Sequence, residues 1–239
     1  VTPPVVLTIA ATDSGGGAGI AADLATLAAL GVHGACVVTA VTAQDTLGIR
    51  AIHPVPLEVV AAQLDAVLDD LPVAVIKTGV LATPEVVRLV ADRVGGRRVT
   101  QGSLSAHRPL LVVDPVIRAT TGASFATNEV ITAYRDHLLP IADVVTPNED
   151  EFVALGEPHY PGVIVTRGGP IRTTNDHGTG CTYSSALAAH LAHGSDVGTA
   201  AVRAADFVTH QLLISSDWDL GRGRGPVAHT ITPHQGVHR

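Results

Sequence analysis

Short apolar runs alternate with stretches of helical spacing along most of the chain. Val5 to Ala11 is an apolar run that stops at a Thr-Asp-Ser-Gly-Gly-Gly turn, which predicts a buried strand. In "AGIAADLATLAALG", Ile20, Leu24, Leu27 and Leu30 fall at helical spacing, and Gly31 is placed to cap the helix C-terminus. "HGACVVTAVTAQDT" predicts a second β-rich run, "PLEVVAAQLDAVLDDL" an amphipathic helix, and "VAVIKTG" a strand ending in glycine. "TPEVVRLVADRVG" predicts a helix with Thr83 as N-cap and Pro84 at its first position. "RVGGRRVTQGSLSAHRP" reads as an exposed loop.

The second half keeps the rhythm. "PLLVVDP" predicts a strand, "NEVITAYRDHLLPIA" a helix, "DVVTPNEDEF" a strand leading into a polar turn, and "GVIVTRGG" a further strand. "TGCTYSSALAAHLAHG" and "VGTAAVRAADFVTHQLLISS" predict two closing helices, and the segment from Gly221 reads as irregular. Strands alternating with helices imply an α/β fold with a mostly parallel sheet covered on both faces. Such a sheet binds ligands beyond the carboxyl ends of its strands. "TDSGGG", "TAQDT", Asp114-Pro115 and "TPNEDE" all fall at such ends.

Composition narrows the class. The 239 residues are 46% hydrophobic but only 3% aromatic, so the core is expected to be aliphatic, and one domain over residues 1–239 fits this length. The net charge of -7 and a single lysine, Lys77, argue against a nucleic-acid partner. No apolar stretch approaches the roughly 18 residues of a membrane span, and the first residues lack the basic region of a signal peptide. Cys36 and Cys181 make no disulfide framework, which points to a reduced, cytoplasmic enzyme.

The Gly178-Thr179-Gly180 turn at a helix start would direct backbone amides and the helix dipole at an anion, and would lower the thiol pKa of Cys181. A tight turn with a small apolar cysteine is an equally open reading. Gly15 to Gly17, before the helix from Ala18, would let backbone approach a small flat ligand, with Asp23 directed into the same pocket. Gln44 offers both a donor and an acceptor to a polar heterocycle. Asp114 and Glu151 suit magnesium and phosphate. For Asp23, Gln44, Asp114 and Glu151 the alternative is an ordinary cap or surface role. Lys77, inside an apolar strand, calls for a specific partner or a snorkelling stem. The twelve histidines show no zinc spacing, and His177 stands out only because it borders the anion turn.

These motifs, taken in order, resemble the bacterial hydroxymethylpyrimidine/phosphomethylpyrimidine kinases of thiamine biosynthesis. "TIAATDSGGGAGIAADLATLAALGVHGACVVTAVTAQDT", "VIKTGVLATPEVV", "LVVDPVIRATTG", "VVTPNEDEF" and "HGTGCTYSSALAAHLAHG" carry the resemblance, over residues 5 to about 150 and 163 to 225. It implies a ribokinase-like three-layer α/β/α sandwich. It also implies ATP- and Mg2+-dependent phosphorylation of 4-amino-5-hydroxymethyl-2-methylpyrimidine, then of its monophosphate. Gly16, Ala18, Asp23 and Gln44 would bind the pyrimidine. Gly178, Thr179 and Gly180 would form the anion hole, with Cys181 where the wider superfamily has a catalytic Asp. Asp114, Asn148, Glu151 and Thr166 would serve the nucleotide, with Asp114 and Glu151 on the metal. The resemblance also suggests a homodimer. Two alternatives stay open: a pyridoxal or pyridoxine kinase of the same superfamily, and a non-catalytic vitamin-sensing module.

Three places depart from the family pattern. Val80 stands in place of Met in its K-x-G-M-L stretch, and Asp45 in place of Asn after Gln44. Between Gly156 and His177 only "EPHY" and "PIRTTND" occupy the places of a helix and a nucleotide-contacting hairpin, through a loss of those elements or a gap in the sequence.

Overall fold

A computed structural model describes residues 1–97, 108–118, 125–160 and 162–229. Five parallel strands form the central sheet: β1 (Val5–Ala10), β2 (His33–Val38), β5 (Val73–Thr78), β6 (Leu110–Val113) and β7 (Val144–Val145), in the order β2-β1-β5-β6-β7. Two further strands, β3 (Ala40–Asp45) and β4 (Gly48–Pro54), make a separate antiparallel hairpin. The sequence reads β2 and β3 as one run because no Gly or Pro divides them. At Thr39 the chain leaves one sheet and enters the other.

Strand alternation sorts the side chains into two layers. Leu7, Ile9, Val37, Ile76, Leu111 and Val113 face α2 (Leu57–Asp70), α3 (Pro84–Arg97) and α4 (Asn128–Ala133). Val6, Val75, Val112 and Val144 face α1 (Gly19–Ala29), α6 (Thr179–Ala192) and α7 (Val197–Ser215). The result is the expected three-layer α/β/α arrangement. Both layers are built mainly from Ala, Val, Leu and Ile, as the low aromatic content requires.

Several local expectations hold. Gly31 ends α1 at φ 71°, with its amide on Ala28 O and the Val32 amide on Leu27 O. Thr83 caps α3 through the Val86 amide at 3.3 Å. Others are corrected. The helix predicted from Asn128 changes winding: α4 gives way to a π turn (Tyr134–Leu138) and a 3-10 turn (Leu139–Ile141), the latter holding Pro140. The helix α3 runs through Gly95 and Gly96 to Arg97, inside the predicted loop, whose residues 98–107 lie outside the described part. The predicted "GVIVTRGG" strand survives only as isolated bridges, Val145 to Val163 and Asn148 to Thr166. Its partner β7 spans only Val144–Val145, so beside that strand the segment finds two hydrogen bonds, Val145 amide to Gly162 O at 3.1 Å and Ile164 amide to Val145 O at 2.8 Å, before α5 (Glu149–Ala154) takes the chain away. The segment 221–229 is irregular, as expected, apart from one bridge between His177 and Pro226.

Candidate active site

One cavity opens beyond the carboxyl ends of the strands. Ala10 ends β1 and Ala11 to Asp13 follow it, Gly79 and Val80 follow β5, Asp114 follows β6 and Thr146 follows β7. Gln44 from the hairpin and Gly178, Gly180 and Cys181 from the start of α6 face it as well. Gly178 is the N-cap of α6, at φ 87°. A Cβ there would sit 1.8 Å from Gly17 O, so only glycine allows the two glycine loops to touch. Thr179 Oγ1 donates to Asp176 O at 2.6 Å and Thr182 Oγ1 to Gly178 O at 2.9 Å, which fixes the turn. The Thr179 amide donates to Asp176 O at 3.2 Å, while Gly178 and Gly180 line the cavity at the helix end that carries partial positive charge.

Beneath Cys181 lies a buried polar cluster. Lys77 Nζ donates to Asp23 Oδ1 at 2.8 Å and Oδ2 at 2.9 Å. Thr8 Oγ1 and Ser185 Oγ also donate to this carboxylate. Lys77 and Asp23 are both 0% exposed. Burial opposes the charge on Lys77, but Asp23 beside it outweighs that, and the ammonium pKa is raised. Asp114 Oδ2 accepts from Ser184 Oγ at 2.8 Å and lies 4.0 Å from Lys77 Nζ. Burial pushes the Asp114 carboxyl up, against the pull of Lys77.

Glu151 belongs to a capping box on α5. Its Oε2 accepts the Asn148 amide at 2.9 Å, while Asn148 Oδ1 accepts the Glu151 amide at 2.9 Å. Its Oε1 accepts the Ile117 amide at 3.2 Å. Burial, then the nearby Asp114, pushes Glu151 up to about 7. Two buried carboxyl groups that resist joint ionisation make an oxygen-rich, cation-seeking wall, which fits magnesium held jointly with phosphates. Among the described residues no cluster of three or more His, Cys, Asp or Glu side chains forms a metal cage.

The Asp13 carboxylate organises the first glycine loop. It accepts the amides of Gly15 at 2.8 Å, Gly17 at 3.2 Å and Ala18 at 2.9 Å, and contacts His177 Nε2 at 2.8 Å. Burial works to raise its pKa, but the His177 and backbone hydrogen bonds outweigh that and hold it below the ordinary value.

The sequence profile of the phosphomethylpyrimidine kinase family matches residues 13–162 and 161–228. The chain belongs to this family. The two matched blocks meet inside the short stretch between Gly156 and His177. The chain is 39% identical over 267 residues to a hydroxymethylpyrimidine/phosphomethylpyrimidine kinase of Rhizobium meliloti, covering 94% of this chain and 96% of the relative. Among solved structures, a phosphomethylpyrimidine kinase of Clostridium difficile superposes with a TM-score of 0.72 at 29% identity, covering 87% of this chain and 98% of that one. A Bacillus subtilis pyridoxal kinase in an ADP complex superposes with a TM-score of 0.82 at 28% identity, covering 96% and 98%. The layered sheet described above is the ribokinase-like fold of these kinases.

Within this phosphomethylpyrimidine kinase fold, most of the expected residues converge. Ala18, Gln44, Asp114, Asn148, Glu151, Thr166, Gly178, Gly180 and Cys181 all line the cavity. Gly16 and Thr179 lie in the two loops without lining it. Asp23 is a correction: it is sealed under the floor and already holds three side-chain donors, so its carboxylate is not presented to a pyrimidine. The expected lowering of the Cys181 thiol is also corrected. Burial, with Asp23 and Asp114 nearby, outweighs Lys77 and the Gly19 amide, and pushes the thiol up to about 12. The loop amides expected to meet a ligand are in part taken by Asp13. Asp13 and Arg118 were missed as cavity residues. The Asp-Ser-Gly turn was a signal for Asp13, because an Asp before glycines commonly bonds the amides that follow it. Lys77 meets its expectation of a specific partner, which is Asp23.

Proposed function

We propose that the protein is an ATP-dependent kinase that phosphorylates the 5-hydroxymethyl group of 4-amino-5-hydroxymethyl-2-methylpyrimidine, and then the monophosphate, in thiamine biosynthesis. The observation that carries this reading is the start of α6. Gly178 and Gly180 there face a cavity whose other wall holds Gln44 and whose third side holds Asp114 and Glu151.

Phosphoryl transfer asks the protein mainly for positioning and charge stabilisation. Gln44 reads the polar edge of the flat heterocycle, which rests against Ala18. The amides of Gly178 and Gly180 and the helix dipole steady the equatorial oxygens of the phosphoryl group in flight. Asn148 and Thr166 flank the nucleotide side. Asp114 and Glu151 would hold magnesium, which when bound supplies charge neutralisation to the phosphates. Cys181 is protonated in the ligand-free site. Its service as proton acceptor therefore requires that the thiol first lose its proton, with Lys77 as the nearby positive charge. One kinase domain spans residues 1–239. The reading places the protein in the cytoplasm, and no described helix is long and apolar enough to cross a membrane. A homodimer would cover the exposed Val41, Leu47 and Ile52 of the hairpin.

A coupled ADP-release assay with magnesium-ATP tests the function. Turnover of hydroxymethylpyrimidine and its monophosphate, with little on pyridoxal, is expected. A second reading, a pyridoxal kinase, draws on the closer superposition with the Bacillus subtilis structure. A preference for pyridoxal in the same assay would establish it, and silence on all three compounds would leave a binding protein.

A further inference from the structure

His177 sits where the two glycine loops meet, and its ring is fixed on every side. Its backbone amide donates to Gly225 O at 3.0 Å, and its carbonyl accepts the Val227 amide at 3.1 Å. The ring lies against Gly17 so closely that a Cβ at that position would be 2.5 Å from Cδ2. It is 6% exposed, and Nδ1 is buried with no hydrogen-bond partner. Nε2 contacts two groups at once, Asp13 Oδ2 at 2.8 Å and Gln44 Nε2 at 3.1 Å.

The partners decide where the proton lies. Asp13 otherwise receives only donors, from Gly15, Gly17 and Ala18, so its carboxylate can face nothing but a donor at His177. A bare Nε2 would set lone pair against carboxylate and leave an Nδ1–H buried with nothing to bond. Nε2 therefore carries the hydrogen whatever the charge on the ring. An amide NH2 cannot donate to that same N–H. The amide of Gln44 must meet it with its carbonyl oxygen, which is a half-turn about the last side-chain bond. The Gln44 backbone is held independently of this choice: its amide donates to Ser14 Oγ at 2.8 Å and its carbonyl accepts from Ser14 Oγ at 2.6 Å.

We infer that His177, anchored by Asp13, is a positioning residue that turns the Gln44 amide so that its NH2 faces the cavity, making the site select a heterocycle that presents a ring-nitrogen lone pair at that edge. The inference deepens the kinase reading and rests on its choice of a pyrimidine substrate. It also assigns a physical link between the group that reads the base and the residue just before the anion turn.

The test measures binding and turnover separately. Calorimetry would give Kd for hydroxymethylpyrimidine and for its two analogues with one or the other ring nitrogen replaced by C–H. In the wild type, one analogue should bind roughly 10- to 100-fold more weakly, because a buried NH2 is left unpaired. In His177→Phe, which keeps the ring but has no nitrogen, Gln44 is free to turn, and the difference should shrink to about threefold or less. His177→Gln, which restores an N–H toward Asp13 and Gln44, should recover it. Asp13→Asn, which releases the proton on His177, is the second route to the same loss if the Phe variant does not fold. Equal binding of all three compounds by the wild type, or discrimination that survives in both His177→Phe and Asp13→Asn, overturns the inference. Selective binding of the parent compound without its phosphorylation would instead sink the kinase reading and leave this one standing.

Discussion

Lys77 and Asp23 form an ion pair with no exposed surface, and such a pair is tolerated only while both halves remain. Lys77→Met should therefore cost about 3–5 kcal/mol of stability, since it strands the Asp23 carboxylate. The double change Asp23→Leu with Lys77→Met should recover most of that loss in urea denaturation. Cys181 gives a chemical prediction. With its thiol pushed up to about 12, iodoacetamide at pH 8 should label it roughly a thousandfold more slowly than an ordinary cysteine thiol of pKa about 8.5. A fast reaction would show that a thiolate is present and that the burial argument is wrong. Cys181→Ala then separates two roles: a fall in kcat of about a hundredfold marks proton transfer, whereas near-wild-type turnover leaves catalysis to the backbone amides. Asp13 has a folded pKa below the ordinary carboxyl value. Its contribution is thus fully present above the unfolded value of about 3.9 and is lost as pH falls through the folded value. Asp13→Asn should flatten the acid limb of the stability-versus-pH curve, as followed by circular dichroism.

At the scale of elements, α5 is short and leans on its cap. Asn148→Ala should lower stability by about 1 kcal/mol, visible as a reduced Tm, because the Glu151 amide loses its Asn148 Oδ1 acceptor. The order of strands and helices was legible in the sequence because their hydrophobic periods differ, and Gly31 and Thr83 marked helix ends by ordinary capping chemistry. The β3–β4 hairpin was hidden for two reasons. β2 and β3 share one unbroken apolar run, and β4 is mostly exposed, with no apolar stripe to betray it. The stretch from Gly162 was read as a strand on its Val and Ile content. β-propensity could not show that its partner strand β7 is only two residues long.

At the scale of the molecule, the site draws on residues from Ala10 to Cys181, and its legibility followed the same division. Residues at strand ends and at the start of α6 were found because the topology of a parallel sheet sends them to one cleft. What escaped was direction. No sequence pattern says that Asp23 points under the floor toward Lys77, or that Asp13 turns back onto its own loop. Arg224 completes the frame: it pairs with Asp176 beside the anion turn, while its own amide donates to Thr46 O on the hairpin. Residues 225–227 then pair with His177. This arrangement has a consequence during synthesis. The ribosome releases the hairpin that carries Gln44 and the α6 turn well before it releases the segment that clamps them together. A nascent chain stopped before Arg224 would hold every group assigned to chemistry and still lack the frame that aims them, so activity should arrive late and abruptly as the chain is made.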